Sequence, residues 1–167
     1  MNIIVRTYGG HYIVRPDTTW ERDNEDFFPP EFVSAISFTP VVTARICKPG
    51  RSIGIKFADR YFDGTGRGIL LYPEDLMDGS NEGFACASCL DHTSFIPLPA
   101  CKKENESPEI VEMIKKAISE ATAFIYIRSG DIIAIETSEM ERLCTKENGT
   151  VTTAINDDTA SSFRIIF

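Results

Sequence analysis

The chain has 167 residues, 43% of them hydrophobic, and a formal net charge of −8 at pH 7. This size and composition are typical of a single globular domain, here residues 1–167. The acidic balance disfavours nucleic-acid and anionic-membrane surfaces, and no apolar run approaches the roughly 20 residues of a membrane-spanning helix. The five cysteines, without a basic and apolar leader segment, predict free thiols in a cytoplasmic protein.

The first 48 residues predict strands separated by a loop. Residues 2–6 are the first expected strand. Residues 15–31 are an expected loop, because prolines and a run of charges interrupt any periodic pattern. β-Branched and aromatic residues predict a strand over residues 32–38. In residues 40–48, apolar side chains at every second position predict a strand exposed on one side, with a buried face of Val42, Ala44 and Ile46.

A helix and a further strand are predicted next. Ser52 is the expected N-cap of the helix, and Gly64 is its expected end. Side chains at helical spacing would form the buried stripe of this helix, namely Phe57, Ala58, Tyr61 and Phe62. The glycine-rich residues 64–68 indicate a turn, since they lack the spacing of a phosphate-binding loop. Residues 67–72 are the predicted strand that follows.

The second half of the chain predicts one helix followed by strands. Ser107 and Pro108 are typical of a helix start, and apolar residues keep helical spacing as far as Ala121. The small and polar residues 78–83 indicate a surface loop. Strands are expected over residues 124–127, 131–137, 150–155 and 162–167. The chain is therefore predicted to be a β-rich α+β protein with two helices.

Three stretches, in the same order along the chain, resemble the fumarylacetoacetate hydrolase family. The central stretch, residues 44–76, resembles the family's strand ending in Lys, its helix with a Phe-Ala-His-x-Tyr-Tyr-Asp type end, and its strand ending in Arg-Asp. Residues 6–11 resemble the family's Arg-Asn-Tyr-x-x-His. Residues 127–137 are similar to Leu-x-x-Gly-Asp-x-Ile-x-x-Gly-Thr, with Glu136 at the second Gly. The resemblance implies a shortened member with the family's mixed β-sandwich or roll.

The resemblance also bears on the metal site of the family, where Mg²⁺ or Mn²⁺ is held by a Glu-x-Glu pair and a later Asp. The matching positions in this sequence are Thr39, Val41 and Leu70. None of these side chains offers the charged oxygen that a hard cation prefers. The resemblance therefore implies a degenerate member with no cofactor and no family chemistry.

Two hypotheses about function follow from this resemblance. The first is a non-catalytic scaffold that binds a small carboxylate metabolite or serves as a subunit partner, in a homodimer or in a heterodimer with a related chain. The alternative is an active hydrolase, isomerase or decarboxylase of β-dicarbonyl or 2-keto acid substrates with a relocated Mg²⁺ or Mn²⁺ site. The carboxylates available for such a site are Asp59, Asp63, Glu74, Asp75 and Asp91.

Two further groups of residues are candidates for a site. By the resemblance, Arg6, Tyr8 and His11 would border the family's pocket and are the candidate catalytic residues. Cys86, Cys89 and His92, with Cys101 further along, have a spacing that could hold zinc. A second closely spaced cysteine pair is missing, so free thiols are the favoured interpretation of this segment.

Overall fold

The computed structural model describes residues 1–97, 101–155 and 162–167. The strands are β1 Asn2–Arg6, β2 Tyr12–Pro16, β3 Trp20–Glu21, β4 Ala35–Ile46, β5 Phe62–Pro73, β6 Ser94–Phe95, β7 Cys101–Lys102, β8 Ile132–Glu136, β9 Glu141–Thr145, β10 Thr150–Ala154 and β11 Ser162–Ile166. The helices within these residues are α1 Ile55–Ala58, α2 Asn81–Ala87 and α3 Pro108–Thr122. The predicted β-rich α+β class is confirmed, with three helices where the sequence predicted two.

The chain divides into two compact units. Unit 1 consists of Met1–Asp17, Val41–Gly66 and Leu98–Thr137, and unit 2 consists of Thr18–Pro40, Arg67–Pro97 and Ser138–Phe167. The boundaries fall inside β4 and β5, so each of these two long strands supplies residues to both units. That residues 1–167 form a single domain stays a prediction.

Unit 1 is a mixed sheet with α3 packed against it. β1 pairs antiparallel with β2 and parallel with β8, and β8 pairs antiparallel with residues 41–45 of β4. The predicted inner face of β4 lies in the core of this unit, and α3 contributes its apolar stripe to the same core. The buried side chains of this core include Val42, Ala44, Ile46, Ile114, Ala117, Ile118 and Ala121.

Unit 2 has its own core. Residues 35–38 of β4 pair antiparallel with β9, while β5 pairs with β6 and β6 pairs parallel with β3. β10 and β11 form a two-stranded antiparallel sheet. The rings of Phe95 and Phe163 stack in this core with their centroids 3.5 Å apart. The pairing of β10 with β11 confirms the strands predicted over residues 150–155 and 162–167.

Helix α3 is the element that the sequence predicted best. The Oγ of Ser107 accepts a hydrogen bond from the backbone N–H of Ile110 at 3.4 Å, and Pro108 opens the first turn. An N-cap oxygen and a proline in the first turn satisfy or remove backbone donors that a helix start leaves without partners. The helix therefore begins where the sequence predicted.

The helix predicted between Ser52 and Gly64 is wrong in its extent. Ser52 has a φ of +52°, and its N–H donates to the carbonyl of Thr122 at 2.7 Å, so this residue cannot start a helix. Only Ile55–Ala58 is helical, and Phe57 of the predicted stripe is 44% exposed. The predicted glycine turn is part of β5, where Gly64 pairs with Lys102 of β7.

Other differences arise from pairing and capping that short patterns do not reveal. β4 is one strand rather than two, and Val41 and Thr43 on its supposedly exposed face are only 1% and 2% exposed. Helix α2 starts within the predicted loop because Ser80 Oγ accepts from Gly83 N–H at 3.0 Å. Residues 124–127 form no strand apart from a single bridge between Ile127 and Gly50.

Candidate functional site

The three positions to which the resemblance assigns the family's metal ligands are buried and uncharged. Thr39 is 0% exposed, and its Oγ1 donates to the carbonyl of Ser138 at 3.1 Å. Val41 is 1% exposed and Leu70 is 0% exposed. Mg²⁺ and Mn²⁺ need several oxygen ligands, of which carboxylates supply the charge. These three side chains do not fit such a cation.

The candidate residues Arg6, Tyr8 and His11 lie at the turn between β1 and β2 in unit 1. Arg6 Nε donates to Glu120 Oε2 of α3 at 3.1 Å, so its charge is already paired. The N–H of Tyr8 donates to Glu136 Oε2 at 2.8 Å, while the Tyr8 ring is 54% exposed. The His11 ring is exposed and makes no hydrogen bond or ion pair with any residue that the structure describes.

The residue that links this turn to α3 is Glu120, which the sequence reading missed. Tyr12 O–H donates to Glu120 Oε2 at 2.8 Å, next to the Arg6 contact. Burial raises the pKa of Glu120, but the hydrogen bonds from Tyr12 and Arg6 outweigh it and hold this pKa below its ordinary value. Burial and the adjacent Glu120 raise the pKa of Tyr12. The position of Glu120 beside buried Ala121 on the predicted helix was the signal that could have revealed it.

Four of the five carboxylates considered for a relocated metal site have protein partners instead. Asp59 pairs with Lys103 at 3.3 Å and Asp63 with Arg45 at 3.0 Å in unit 1. In unit 2, Arg142 Nε donates to Glu74 Oε1 at 2.9 Å, and this hydrogen bond lowers the pKa of Glu74.

The two remaining carboxylates of that set also lie in unit 2. Asp75 accepts from the N–H of Ser34 at 2.7 Å, and Asp91 is exposed beside His92. Within residues 1–97, 101–155 and 162–167, no three His, Cys, Asp or Glu side chains are grouped as metal ligands would be.

The described part of the cysteine and histidine segment of unit 2, residues 86–92, likewise contains no group of metal ligands. Cys86 and Cys89 are exposed free thiols at the end of α2, and the Nδ1 of His92 lies 3.3 Å from Glu21 Oε2. The side chain of Cys101 lies outside the described residues. His92 and Glu21 line a cleft of about 400 Å³ with Glu25, Asp26 and Asp91. Its acidic lining disfavours a small carboxylate as the occupant.

Comparison with known proteins identifies the fold. No family model matches the sequence, and no curated protein is significantly similar to it. Among solved structures, a Yersinia pestis protein assigned to the fumarylacetoacetate hydrolase family has a TM-score of 0.74 and 14% identity over 99% of this chain and 92% of its own. The chain has the fumarylacetoacetate hydrolase fold. The resemblance drawn from the three stretches is thus confirmed for the fold.

Two further solved structures with this fold are those of a hydrolase and an isomerase. The fumarylpyruvate hydrolase of Pseudomonas aeruginosa, in complex with Mn²⁺ and pyruvate, has a TM-score of 0.72 and 11% identity over 86% of this chain and 81% of its own. The 5-carboxymethyl-2-hydroxymuconate delta-isomerase of Mycobacterium smegmatis has a TM-score of 0.72 and 13% identity, and covers 99% of this chain and 77% of its own.

These comparisons correct the prediction of no cofactor. A protein with the fumarylacetoacetate hydrolase fold is seen with Mn²⁺ and pyruvate, so the fold gives no ground for excluding a metal. In this chain Thr39, Val41 and Leu70 carry no carboxylate, and the prediction that the chain has no cofactor is withdrawn. None of the helices in the described part of the chain is long and apolar enough to cross a membrane.

Proposed function

We propose that this chain is a non-catalytic protein on the fumarylacetoacetate hydrolase fold, acting as a subunit partner or as a small-metabolite scaffold. The observation that supports this proposal is the chemistry of three buried positions. Thr39, Val41 and Leu70 are 0%, 1% and 0% exposed, and none carries a charge.

The argument from these positions concerns charge stabilisation. Cleavage or isomerisation next to a β-dicarbonyl builds negative charge on oxygen, which a catalyst stabilises with a cation or with preorganised donors. Valine and leucine side chains can do neither. The hydroxyl of Thr39 donates to the carbonyl of Ser138 and is not available for an oxyanion.

Association with another chain is part of this proposal. The resemblance implies a homodimer, or a heterodimer with a related chain. Ile55 and Met113 are 48% and 39% exposed and line a cavity of about 400 Å³ in unit 1 together with four charged side chains. Sedimentation velocity over a range of concentrations should give a mass of two chains. A monomer at every concentration would exclude the homodimer.

Turnover of an acylpyruvate in the presence of added Mn²⁺ or Mg²⁺ tests the absence of catalysis. We expect the rate with protein to equal the rate with buffer and metal alone. Metal-stimulated turnover would contradict the proposal and favour the alternative, an enzyme with a relocated site. Glu74→Gln with Asp75→Asn should then abolish the activity, whereas Asp23→Asn, which changes an exposed acid outside that set, should not.

A further inference from the structure

The segment 48–61 of unit 1 lines a surface pocket whose charge is opposite to that of the chain. The pocket has a volume of about 230 Å³, and three of its lining side chains are the cations Lys48, Arg51 and Arg60. The fourth cation of the segment, Lys56, has its Nζ 4.8 Å from the centroid of the Phe57 ring, which also lines the pocket. A chain with a net charge of −8 therefore concentrates positive charge at one place.

The nearby acids do not neutralise these cations. Asp59 is paired with Lys103, and Asp63 accepts two hydrogen bonds from Arg45, at 3.0 and 3.1 Å. No acidic side chain lines the pocket. Among the residues that the structure describes, none of the four cations of segment 48–61 forms an ion pair with a carboxylate.

Two of the three pocket cations lie against aromatic rings instead. Lys48 Nζ is 5.3 Å from the centroid of the Tyr61 ring, and Arg60 Cζ is 5.6 Å from the centroid of Phe57. Such cation–ring contacts hold the charged groups without cancelling their charge. The positive groups therefore remain available to an anion that enters the pocket.

The backbone around the pocket is held in place before any ligand arrives. Gly50 and Ile127 exchange two backbone hydrogen bonds of 3.0 Å. Ser52 N–H donates to the carbonyl of Thr122 at 2.7 Å, and Ile53 N–H donates to Thr122 Oγ1 at 3.0 Å. A loop fixed in this way loses little conformational entropy when it binds a ligand.

We infer that this pocket binds the phosphate group of a small phosphomonoester. Its volume suits a single oxyanion with a small substituent. The guanidinium groups of Arg51 and Arg60 have the planar donor geometry that pairs with phosphate oxygens, and the hydroxyl of Ser52 lines the same pocket. Bringing several like charges together has an energetic cost, which a doubly charged anion offsets. This inference is independent of the proposed function, because it holds whether or not the chain is catalytic.

Isothermal titration calorimetry with inorganic phosphate and phenyl phosphate, in 150 mM NaCl, tests the inference. We expect one binding site on the wild-type chain, with phenyl phosphate binding more tightly than phosphate. Arg51→Gln with Arg60→Gln should weaken binding at least tenfold. Arg22→Gln is the matched control, because it removes one exposed cation in unit 2 and should change the affinity less than twofold.

Two further measurements decide how the result is read. Both substituted arginines are exposed, so the double variant should keep the thermal midpoint of the wild type in phosphate-free buffer. Citrate serves as the carboxylate probe, and tighter binding of citrate than of phenyl phosphate would overturn the assignment to phosphate. The inference is also overturned if neither phosphate compound binds at 10 mM, or if the double variant binds as the wild type does.

Discussion

Asp131 is a buried side chain that joins two backbone segments of unit 1. It is 0% exposed, and its two carboxylate oxygens accept from the N–H of Asn2 at 2.9 Å and from the N–H of Arg128 at 2.8 Å. These bonds hold the start of β1 beside the turn that precedes β8. The Gly-Asp pair in the third family-like stretch therefore has a structural explanation that requires no catalytic role.

Asp131→Ala should lower the free energy of unfolding by about 2–4 kcal/mol, because two buried N–H donors lose a charged acceptor. Asp131→Asn retains one acceptor oxygen and should cost about half as much. Urea unfolding at pH 7 measures both values. The exposed Asp23→Ala is the control and should change stability by less than about 0.5 kcal/mol. Equal stabilities of Asp131→Ala and the wild type would contradict this role.

Gly50 is a residue at which a side chain has little room. A Cβ at this position would lie 2.6 Å from Tyr61 Cε1 and 2.9 Å from Ile53 Cδ1. Gly50→Ala should therefore destabilise the protein by about 1–3 kcal/mol, since packed neighbours must shift. At Gly9 the nearest atom would be 3.7 Å away, so Gly9→Ala should be tolerated. Thermal unfolding of the two variants compares them, and similar midpoints would contradict the prediction.

At the scale of elements, α3 and β2 are joined by a polar contact at the edge of their apolar packing. Glu120 accepts from Tyr12 O–H and from Arg6 Nε. The lowered pKa of Glu120 means that its contribution to stability is present above its unfolded pKa and is lost as the pH falls through the lower folded pKa.

Glu120→Gln should therefore make stability less dependent on pH below about pH 5, where an unfolded Glu begins to protonate. At pH 7 the loss should be under about 1 kcal/mol, because the Glu120 side chain is 37% exposed and solvent screens its ion pair. Urea unfolding at pH 7, 5 and 4 measures the slope. Tyr12→Phe removes one of the two donors and should produce part of the same change. Parallel pH profiles for wild type and Glu120→Gln would contradict the prediction.

Elements with strong local signals were predictable from the sequence. Helix α3 combined a cap at Ser107, a proline and a continuous apolar period, so local chemistry and tertiary packing agreed. The residues around Ser52 gave a misleading signal, because hydrogen bonds to Thr122, distant in sequence, determine their backbone. Two-residue strands such as β3 are too short to show any period and are defined only by their partners.

The candidate site was predictable only in part, for a similar reason. The resemblance to the family assigned its metal-ligand positions to Thr39, Val41 and Leu70, and the identity of a side chain is enough to rule out a carboxylate. The sequence could not show that Asp59 and Asp63 are already paired with Lys103 and Arg45, which are distant along the chain. Partners so far apart along the chain leave no short motif.

At the scale of the whole molecule, the reaction rate of a buried thiol measures how often the core around it opens. Cys144 is 3% exposed in unit 2, and burial raises its pKa to about 11. Cys47, Cys86 and Cys89 are exposed. Iodoacetamide reacts with thiolates, so at pH 8 Cys144 should be modified at least about 100-fold more slowly than these three. Peptide-resolved mass spectrometry measures each rate, and urea at the unfolding midpoint should remove the difference. Equal rates in the native protein would contradict a closed core in unit 2.

The continuity of β4 limits how this sequence can change its length. Residues 35–38 pair with β9 and residues 41–45 pair with β8, and Pro40, which has no N–H to donate, falls between the two ladders. Side chains alternate along a strand, so deleting one residue at this point, without a β-bulge to absorb the shift, would exchange the two faces of the segment that follows. Thr43 and Arg45 would then point where Val42 and Ala44 now fill the core of unit 1. Insertions and deletions of one residue near Pro40 are therefore disfavoured, and the buried Thr39 and Val41 on either side of it restrict substitution as well.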